Sequence, residues 1–181
     1  MMLAILLSLA LTSFLALSNS LYLSGTLYFS DKQPYADAAI LTIFIKADNK
    51  VIASDNVDKE GHYKINFIAG NETSFDLYVT GFGMDTLFIK SFTGFDSDNV
   101  TFDISFPISY KKTIGQITCP KCNKATKVYK IIYGDAPKYK ILITKSDTIY
   151  SPIVNNKYYA GTCLKSLISP EWYCDRDKIS F

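Results

Sequence analysis

Alternating polar and apolar residues mark several short strands between residues 21 and 108. His62 to Phe67 alternates strictly, and residues 75–79 alternate again, which is typical of strands with one face in a core. Residues 39–45 form an apolar, largely β-branched run, and turn sequences such as Asp58-Lys59-Glu60-Gly61 separate the runs. We therefore predict about seven short strands without an amphipathic helix, the pattern of an antiparallel β-sandwich.

The N-terminal segment has a different pattern. Residues 1–17 contain no charge, and residues 3–17 form a fifteen-residue, almost wholly apolar run. A membrane-spanning helix needs about 20 apolar residues, whereas the core of a signal peptide needs about 7–15. We predict a signal peptide over residues 1–20, cleaved after Ser20, and no membrane span in the remainder. An uncleaved N-terminal anchor is the alternative, because no Lys or Arg precedes the apolar run.

Composition narrows the classes of function. Of the 181 residues, 48% are hydrophobic and 20% are charged, a globular balance, and the net charge of +2 does not indicate a nucleic-acid binder. His62 is the only histidine, which argues against Ser-His-Asp, Cys-His and His-rich metal catalysis. We interpret His62 as an exposed strand-edge residue, and we predict a secreted or periplasmic protein that is not an enzyme.

Charge divides the chain near residue 109. Residues 21–108 hold six Lys and twelve Asp or Glu, a net charge of −6, whereas residues 109–181 hold twelve Lys, one Arg and five acids, a net charge of +8. All four cysteines lie in the second part. We therefore predict two domains, 21–108 and 109–181. The opposite charges indicate either attraction between the two halves or a basic surface for an anionic partner.

The first of these parts resembles a known family. Its turn and strand residues follow in the order Gly25, Pro34 with Ala38, the apolar run 39–45, Asp58-x-x-Gly61-x-Tyr63 and Gly81-Phe82. In that order they resemble the carboxypeptidase regulatory-like domain, a transthyretin-like β-sandwich. The resemblance implies a non-catalytic accessory or interaction module. The peptidase unit that such domains accompany is missing here, because the single histidine is not part of a metal-binding His-x-x-Glu motif.

The four cysteines of the second part are candidate metal ligands. Cys119-Pro120-Lys121-Cys122 places two thiols on one tight turn, and Cys163 and Cys174 follow with a spacing of ten residues between them. Zinc prefers four such ligands in a tetrahedron. Two disulfides are the alternative, since an even number of cysteines in a secreted chain suits oxidation. A third interpretation is a thiol–disulfide oxidoreductase acting through Cys119 and Cys122.

A second resemblance favours the metal. The residues that carry it are Cys119-Pro120-x-Cys122, Ile132-Tyr133-Gly134 with Pro137, Gly161-x-Cys163, Pro170-x-Trp172-Tyr173-Cys174 and Phe181. They are similar to small bacterial zinc-ribbon-like proteins of unknown function, over residues 117–181. The resemblance implies a β-rich domain with structural zinc on Cys119, Cys122, Cys163 and Cys174. A structural zinc site contributes about 10–16 kcal/mol of apparent binding energy, and a long-range disulfide about 4 kcal/mol, so either would stabilise a domain of this size.

Together these features predict a mainly β protein, with a transthyretin-like sandwich followed by a zinc-ribbon-like four-cysteine domain. The predicted function is that of a secreted, non-catalytic module with an unidentified protein or glycan partner. A carbohydrate- or envelope-binding module is the first alternative, with Trp172 and Tyr173 either packing around the cysteines or forming a platform for sugar rings. The oxidoreductase is the second.

Overall fold

A computed structural model of the chain describes residues 20–29, 40–68, 74–94, 97–134, 139–143, 148–152 and 158–181. Most of the predicted signal segment lies outside the described residues, as do Pro34, Ala38 and Pro137 of the two resemblances. Ser20 begins the first strand, where it pairs with Ile68. The described residues are almost entirely strands and turns, which confirms the prediction of a mainly β fold.

The strands of the described residues fall on both sides of residue 109. Those before it are β1 (Ser20–Phe29), β2 (Leu41–Ala47), β3 (Lys50–Asn56), β4 (His62–Ile68), β5 (Phe75–Gly81), β6 (Leu87–Phe92), β7 (Asn99–Thr101) and β8 (Ile104–Phe106). Those after it are β9 (Lys112–Thr113), β10 (Gln116–Ile117), β11 (Val128–Ile132), β12 (Tyr139–Ile143), β13 (Thr148–Pro152), β14 (Tyr158–Ala160), β15 (Trp172–Cys174) and β16 (Ile179–Ser180).

Two sheets share one apolar core. The smaller sheet has the order β4-β1-β7, with β8 also paired to β1, and the larger has the order β14-β11-β15-β16-β6-β5-β2-β3. Strands β9 with β10 and β12 with β13 form separate two-stranded pairs. Leu23 and Ile65 of the smaller sheet and Ile43 and Leu77 of the larger belong to the same buried cluster. In β4, Tyr63, Ile65 and Phe67 are buried and the residues between them are exposed, which explains the alternation of polar and apolar residues in its sequence.

The smaller sheet is not purely antiparallel. β7 and β8 both run parallel to β1 in one continuous register, although they are interrupted at Phe102 and Asp103. The interruption arises because the N–H of Thr26 donates to the Asp103 carboxylate at 2.9 Å instead of to a backbone carbonyl. At the same place a Cβ on Gly25 would lie 2.0 Å from the Phe102 carbonyl oxygen. Only glycine permits this close approach of two backbones.

The predicted turn at Asp58 forms as its sequence suggests. Gly61 has a φ of +88°, a conformation that side chains disfavour. Its N–H donates to the Asp58 carbonyl at 3.1 Å, and the N–H of His62 donates to the Asp58 carboxylate at 2.7 Å. Tyr63, which follows, donates its hydroxyl to the Phe102 carbonyl at 2.5 Å. The turn residues of the first resemblance therefore have structural roles.

Strands from both sides of residue 109 share the larger sheet. β16 runs parallel to β6, with Ser180 opposite Leu87, and β15 and β11 extend the sheet from there. The face of β2, β5 and β6 that points away from the sandwich core is apolar, with Phe44, Tyr78 and Phe88 buried on it. Phe181 packs in the same cluster. The C-terminal part therefore covers the outer face of the sandwich as well as lengthening its sheet.

Among the described residues, no helix has the length and apolar character needed to cross a membrane.

Candidate metal centre

Cys119 and Cys122 lie on a tight turn between β10 and β11. The N–H of Asn123 donates to the Cys119 carbonyl at 2.9 Å, and the N–H of Cys119 donates to the Lys124 carbonyl at 3.1 Å. Asn123 has a φ of 56°, in the left-handed region that Asn enters more readily than most residues. The turn brings both cysteine side chains to one side of the chain, as the sequence predicts.

A second turn with the same spacing connects β15 to β16. Cys174 lies opposite Ile179, five residues later in the chain, in this antiparallel pair. In the first turn, likewise, the N–H of Cys119 donates to the carbonyl of Lys124, five residues later. Lys178 has a φ of 54°, which matches Asn123 after the first turn. Asp177 follows Cys174 by three positions. The second turn therefore presents a cysteine and a carboxylate where the first presents two cysteines.

The ligand atoms of the two turns converge on one point. One ligand atom each from Cys119, Cys122, Cys174 and Asp177 forms a group in which all lie within 4.8 Å of one another. The sulfurs of Cys122 and Cys174 are 3.9 Å apart, and Asp177 Oδ2 lies 3.1 Å from the Cys119 sulfur and 3.2 Å from the Cys174 sulfur. With a metal–sulfur bond of about 2.3 Å, a tetrahedral site places its sulfurs about 3.8 Å apart. The group could therefore bind a single metal ion.

Burial and hydrogen bonding set the protonation of these groups. Cys119 and Cys174 are completely buried, and this burial raises the pKa of each thiol. Partial burial on its own raises the pKa of Asp177, but hydrogen bonds from the surrounding thiols outweigh it, so that the pKa of this carboxyl is lowered. Without a metal, the ionised Asp177 carboxylate thus accepts hydrogen bonds from the protonated, buried thiols of Cys119 and Cys174. A metal that binds here must displace those thiol protons.

Arg176 joins the two turns. Its Nε and Nη2 donate to the Cys122 sulfur at 3.4 and 3.1 Å, and Nη2 also donates to the Lys124 carbonyl at 3.0 Å. Its Nη1 donates to the Thr126 hydroxyl at 2.8 Å and to the carbonyl of the same residue. The guanidinium thus orients one candidate ligand and supplies a positive charge beside a group of potential anions.

The first turn is also anchored to the sandwich. Lys121 at its tip forms an ion pair with Asp76 of β5, with Nζ 2.5 Å from Oδ2. The Ser91 hydroxyl donates to the same carboxylate at 2.6 Å. Phe44 and Tyr78 stack beside the ligands, with ring centroids 5.3 Å apart, and belong to the same buried cluster as Cys119 and Cys174. The candidate site therefore lies between the C-terminal part and the outer face of the larger sheet.

The structure brings together three of the four predicted ligands. Cys163 is exposed and lies on the loop that follows β14, outside the four-atom group. The N–H of the preceding residue, Thr162, donates to the Asp85 carboxylate at 3.0 Å, which helps to place this loop beside the β5–β6 connection. The fourth candidate ligand of the group is Asp177 and not the predicted Cys163.

Asp177 is the ligand candidate that the sequence analysis missed. The signal for it is the spacing Cys174-x-x-Asp177, which repeats the spacing Cys119-x-x-Cys122 with a carboxylate in the last position. A search for cysteines alone could not detect this repeat. Carboxylate oxygens are accepted zinc ligands, so the repeat is chemically meaningful.

The other residues singled out in the sequence lie elsewhere. His62 is exposed, and its Nδ1 lies 3.2 Å from the Asp58 carboxylate. Trp172 is partly buried against the cluster around the candidate site. Tyr173 points to the opposite face of its strand, where it stacks on Tyr159 with ring centroids 3.9 Å apart. The two neighbouring aromatics therefore do not form one platform.

No disulfide links the four cysteines, all of which are among the described residues. A disulfide needs its sulfurs about 2.05 Å apart, well below the 3.9 Å between Cys122 and Cys174. A comparison with protein-family models finds no match, and a comparison with curated proteins finds no relative.

Proposed function

We propose that the protein is a secreted or periplasmic, non-catalytic accessory module in which a structural zinc site fastens the C-terminal part to a β-sandwich. The observation that carries the proposal is the convergence of four donor atoms, all within 4.8 Å, from two turns of matched spacing. Asp177 replaces Cys163 as the fourth ligand in this proposal.

The donor set favours zinc. Three thiolates and one carboxylate combine soft and hard ligands, which suits a borderline-soft ion such as Zn²⁺. The sulfur–sulfur distance of 3.9 Å is close to that of a tetrahedral site with one ion. Bound zinc would carry three thiolates and a carboxylate, an excess of negative charge that Arg176 partly offsets.

The site suits a structural role better than a catalytic one. Catalytic zinc sites keep one position for water or substrate, whereas structural sites take all four ligands from the protein. Here four protein donors are in place, and Cys119 and Cys174 are fully buried. The zinc would link residues 119–122 to residues 174–177 and hold both against Phe44 and Tyr78. Structural zinc sites contribute about 10–16 kcal/mol of apparent binding energy.

The accessory role rests on the first resemblance and on the roles of its residues. Gly25, Asp58, Gly61 and Tyr63 serve turns and backbone contacts.

The geometry does not favour the oxidoreductase, because a redox nucleophile needs an accessible thiol with a lowered pKa. Cys119 is buried, and that burial raises its pKa.

Elemental analysis of protein prepared without chelator tests the proposal. We expect one zinc per chain in the wild type and in Cys163→Ser, and a strong loss of zinc in Cys174→Ser. A chelator should lower the midpoint of thermal unfolding in the first two proteins and leave the third unchanged. Metal-free wild type, or zinc lost from Cys163→Ser, would contradict the proposal.

A second candidate function is binding of an anionic glycan. Lys130 of β11 pairs with Tyr158 on one neighbouring strand and with Trp172 on the other, so the three residues share one face of the sheet. The two aromatics are separated by two strand spacings, about 9.6 Å, and lie in reach of the exposed Lys130. Residues 109–134 contain six lysines and no acidic residue. Aromatic rings that stack on sugars and lysines that pair with acidic groups would suit such a ligand.

Binding to an acidic and to a neutral polysaccharide distinguishes this candidate. We expect binding to the acidic polymer alone, weakened by salt and by Trp172→Ala. Tyr129→Ala, on the opposite face of β11, is the matched control. Equal affinity for both polymers, or equal loss in both variants, would refute the glycan hypothesis.

A further inference from the structure

Cys122 is the one cysteine of the candidate centre that is not fully buried. Cys119 and Cys174 are each 0% exposed, whereas Cys122 is only partly buried. An oxidant must touch the sulfur that it oxidises. In this structure, oxidation of the centre would therefore begin at Cys122.

A second thiol lies next to Cys122. The Cys174 sulfur is 3.9 Å away, so the two atoms must approach by about 1.9 Å to reach the length of a disulfide. Cys174 is fully buried, which protects it from direct attack. It is therefore placed to react with an oxidised Cys122 before external thiols do.

Arg176 occupies another side of the Cys122 sulfur. Its Nε and Nη2 lie 3.4 and 3.1 Å from that atom. A guanidinium in this position stabilises an anion that approaches or leaves the sulfur. The partly exposed cysteine, the adjacent thiol and the cation together form an arrangement that suits reaction with a peroxide.

We propose, on the basis of the zinc site proposed above, that Cys122 is a redox modification site through which a peroxide opens the metal centre, with Cys174 as its resolving partner. Cysteines that bind a metal are thiolates, the form that peroxides oxidise. The reaction therefore requires no separate deprotonation of the thiol.

The chemistry balances in two steps. The Cys122 thiolate attacks one peroxide oxygen, the O–O bond breaks, and a sulfenic acid and one hydroxide ion result. The Cys174 thiolate then attacks the sulfenic sulfur, an S–S bond forms, and the S–O bond breaks to release a second hydroxide. The two sulfurs together lose two electrons, which the peroxide oxygens gain. Zinc, deprived of two of its four ligands, dissociates.

Hydrogen peroxide added to zinc-loaded full-length protein tests the proposal. A chromogenic chelator measures released zinc, and mass spectrometry of acid-quenched peptides identifies the disulfide. We expect one zinc released per disulfide and a Cys122–Cys174 linked peptide, with the same result in Cys163→Ser. In Cys122→Ser that still binds zinc, release should slow at least tenfold.

Other disulfides would overturn the inference. The inference fails if zinc release is accompanied by a Cys119–Cys174 disulfide or by a disulfide that contains Cys163. It also fails if zinc is retained while only Cys163 is oxidised, or if Cys122→Ser releases zinc at the wild-type rate. Zinc content measured before peroxide is added separates the two proposals. If the protein contains no zinc, the zinc function fails, and peptide mapping of the same metal-free protein still decides whether Cys122 and Cys174 join.

Discussion

Arg176 donates two hydrogen bonds to the sulfur of Cys122, although the two residues stand 54 positions apart. Its remaining donors reach the backbone of Lys124 and Thr126. The second turn is therefore fastened to the first without the help of a metal. A charged residue that orients a ligand in this way lowers the cost of assembling the site.

Replacing Arg176 with Lys should weaken zinc binding. The charge remains, but the planar fork that reaches the sulfur and two carbonyls is lost. Loss of such an outer contact typically reduces metal affinity by about 10–100-fold. Competition with a chromophoric chelator measures the change, and Lys178→Gln, at the exposed end of the same turn, is the control. Unchanged affinity in Arg176→Lys would contradict the role assigned to it.

Replacing Asp76 with Ala should cost more stability than replacing Lys121. Asp76 accepts from both Lys121 and Ser91, and its side chain is only 14% exposed. Leaving these donors unpaired costs about 1–3 kcal/mol, whereas truncating a partly exposed lysine costs about 1 kcal/mol or less. Urea unfolding of both single variants and the double variant measures the coupling. Additive effects would show that the ion pair does not join the turn to β5.

Replacing Asp85 with Asn should change how stability depends on pH. Burial raises the pKa of Asp85 in the folded protein, against the opposing hydrogen bond from the Thr162 N–H. The folded state therefore retains a proton that the unfolded chain, with a pKa of about 3.9, has lost. Relative to Asp85→Asn, wild type should lose stability as pH rises from about 3.9 through the folded pKa, and then level off.

Urea unfolding across this pH range, with chelator present in both proteins, measures the difference. The Asn side chain retains an oxygen acceptor for Thr162, so the comparison isolates the charge. A difference that does not vary with pH, or that favours wild type as pH rises, would refute the prediction.

Replacing Gly25 with Ala should destabilise the sandwich. The new Cβ would lie 2.0 Å from the Phe102 carbonyl oxygen, which also accepts the Tyr63 hydroxyl. Separating β1 from residue 102 should cost about 1–3 kcal/mol, as other overpacked sites do. Ser24→Ala, one position earlier, is the matched control in thermal unfolding. Equal stability of the two variants would show that the backbone contact is dispensable.

Much of the sandwich could be predicted from local patterns. The alternation in β4 and the turn at Asp58 depend on neighbouring residues alone, so the sequence displays them directly. The interruption between β7 and β8 could not be predicted, because it depends on Thr26 meeting Asp103, 77 positions away. That strands from both sides of residue 109 form one sheet could not be predicted for the same reason, since β16 pairs with β6 through residues far apart in the chain.

In the candidate site, too, the local features could be predicted from the sequence and the contacts between distant residues could not. Cys119-x-x-Cys122 is a local motif, so the first turn was visible in the sequence. Asp177 was not, because carboxylates are common on surfaces and its role appears only when Cys174 folds against Cys119. Cys163 lies outside the group, on a loop where the neighbouring Thr162 donates to Asp85, a contact that cysteine spacing cannot reveal.

X-ray absorption at the zinc edge tests the central claim most directly, because it counts the atoms that bind the metal. For ligands Cys119, Cys122, Cys174 and Asp177, it should show three sulfurs at about 2.3 Å and one oxygen at about 2.0–2.2 Å. In Asp177→Cys the oxygen shell should be replaced by a fourth sulfur. Four sulfurs in the wild-type protein, or no sulfur around the zinc, would contradict the account.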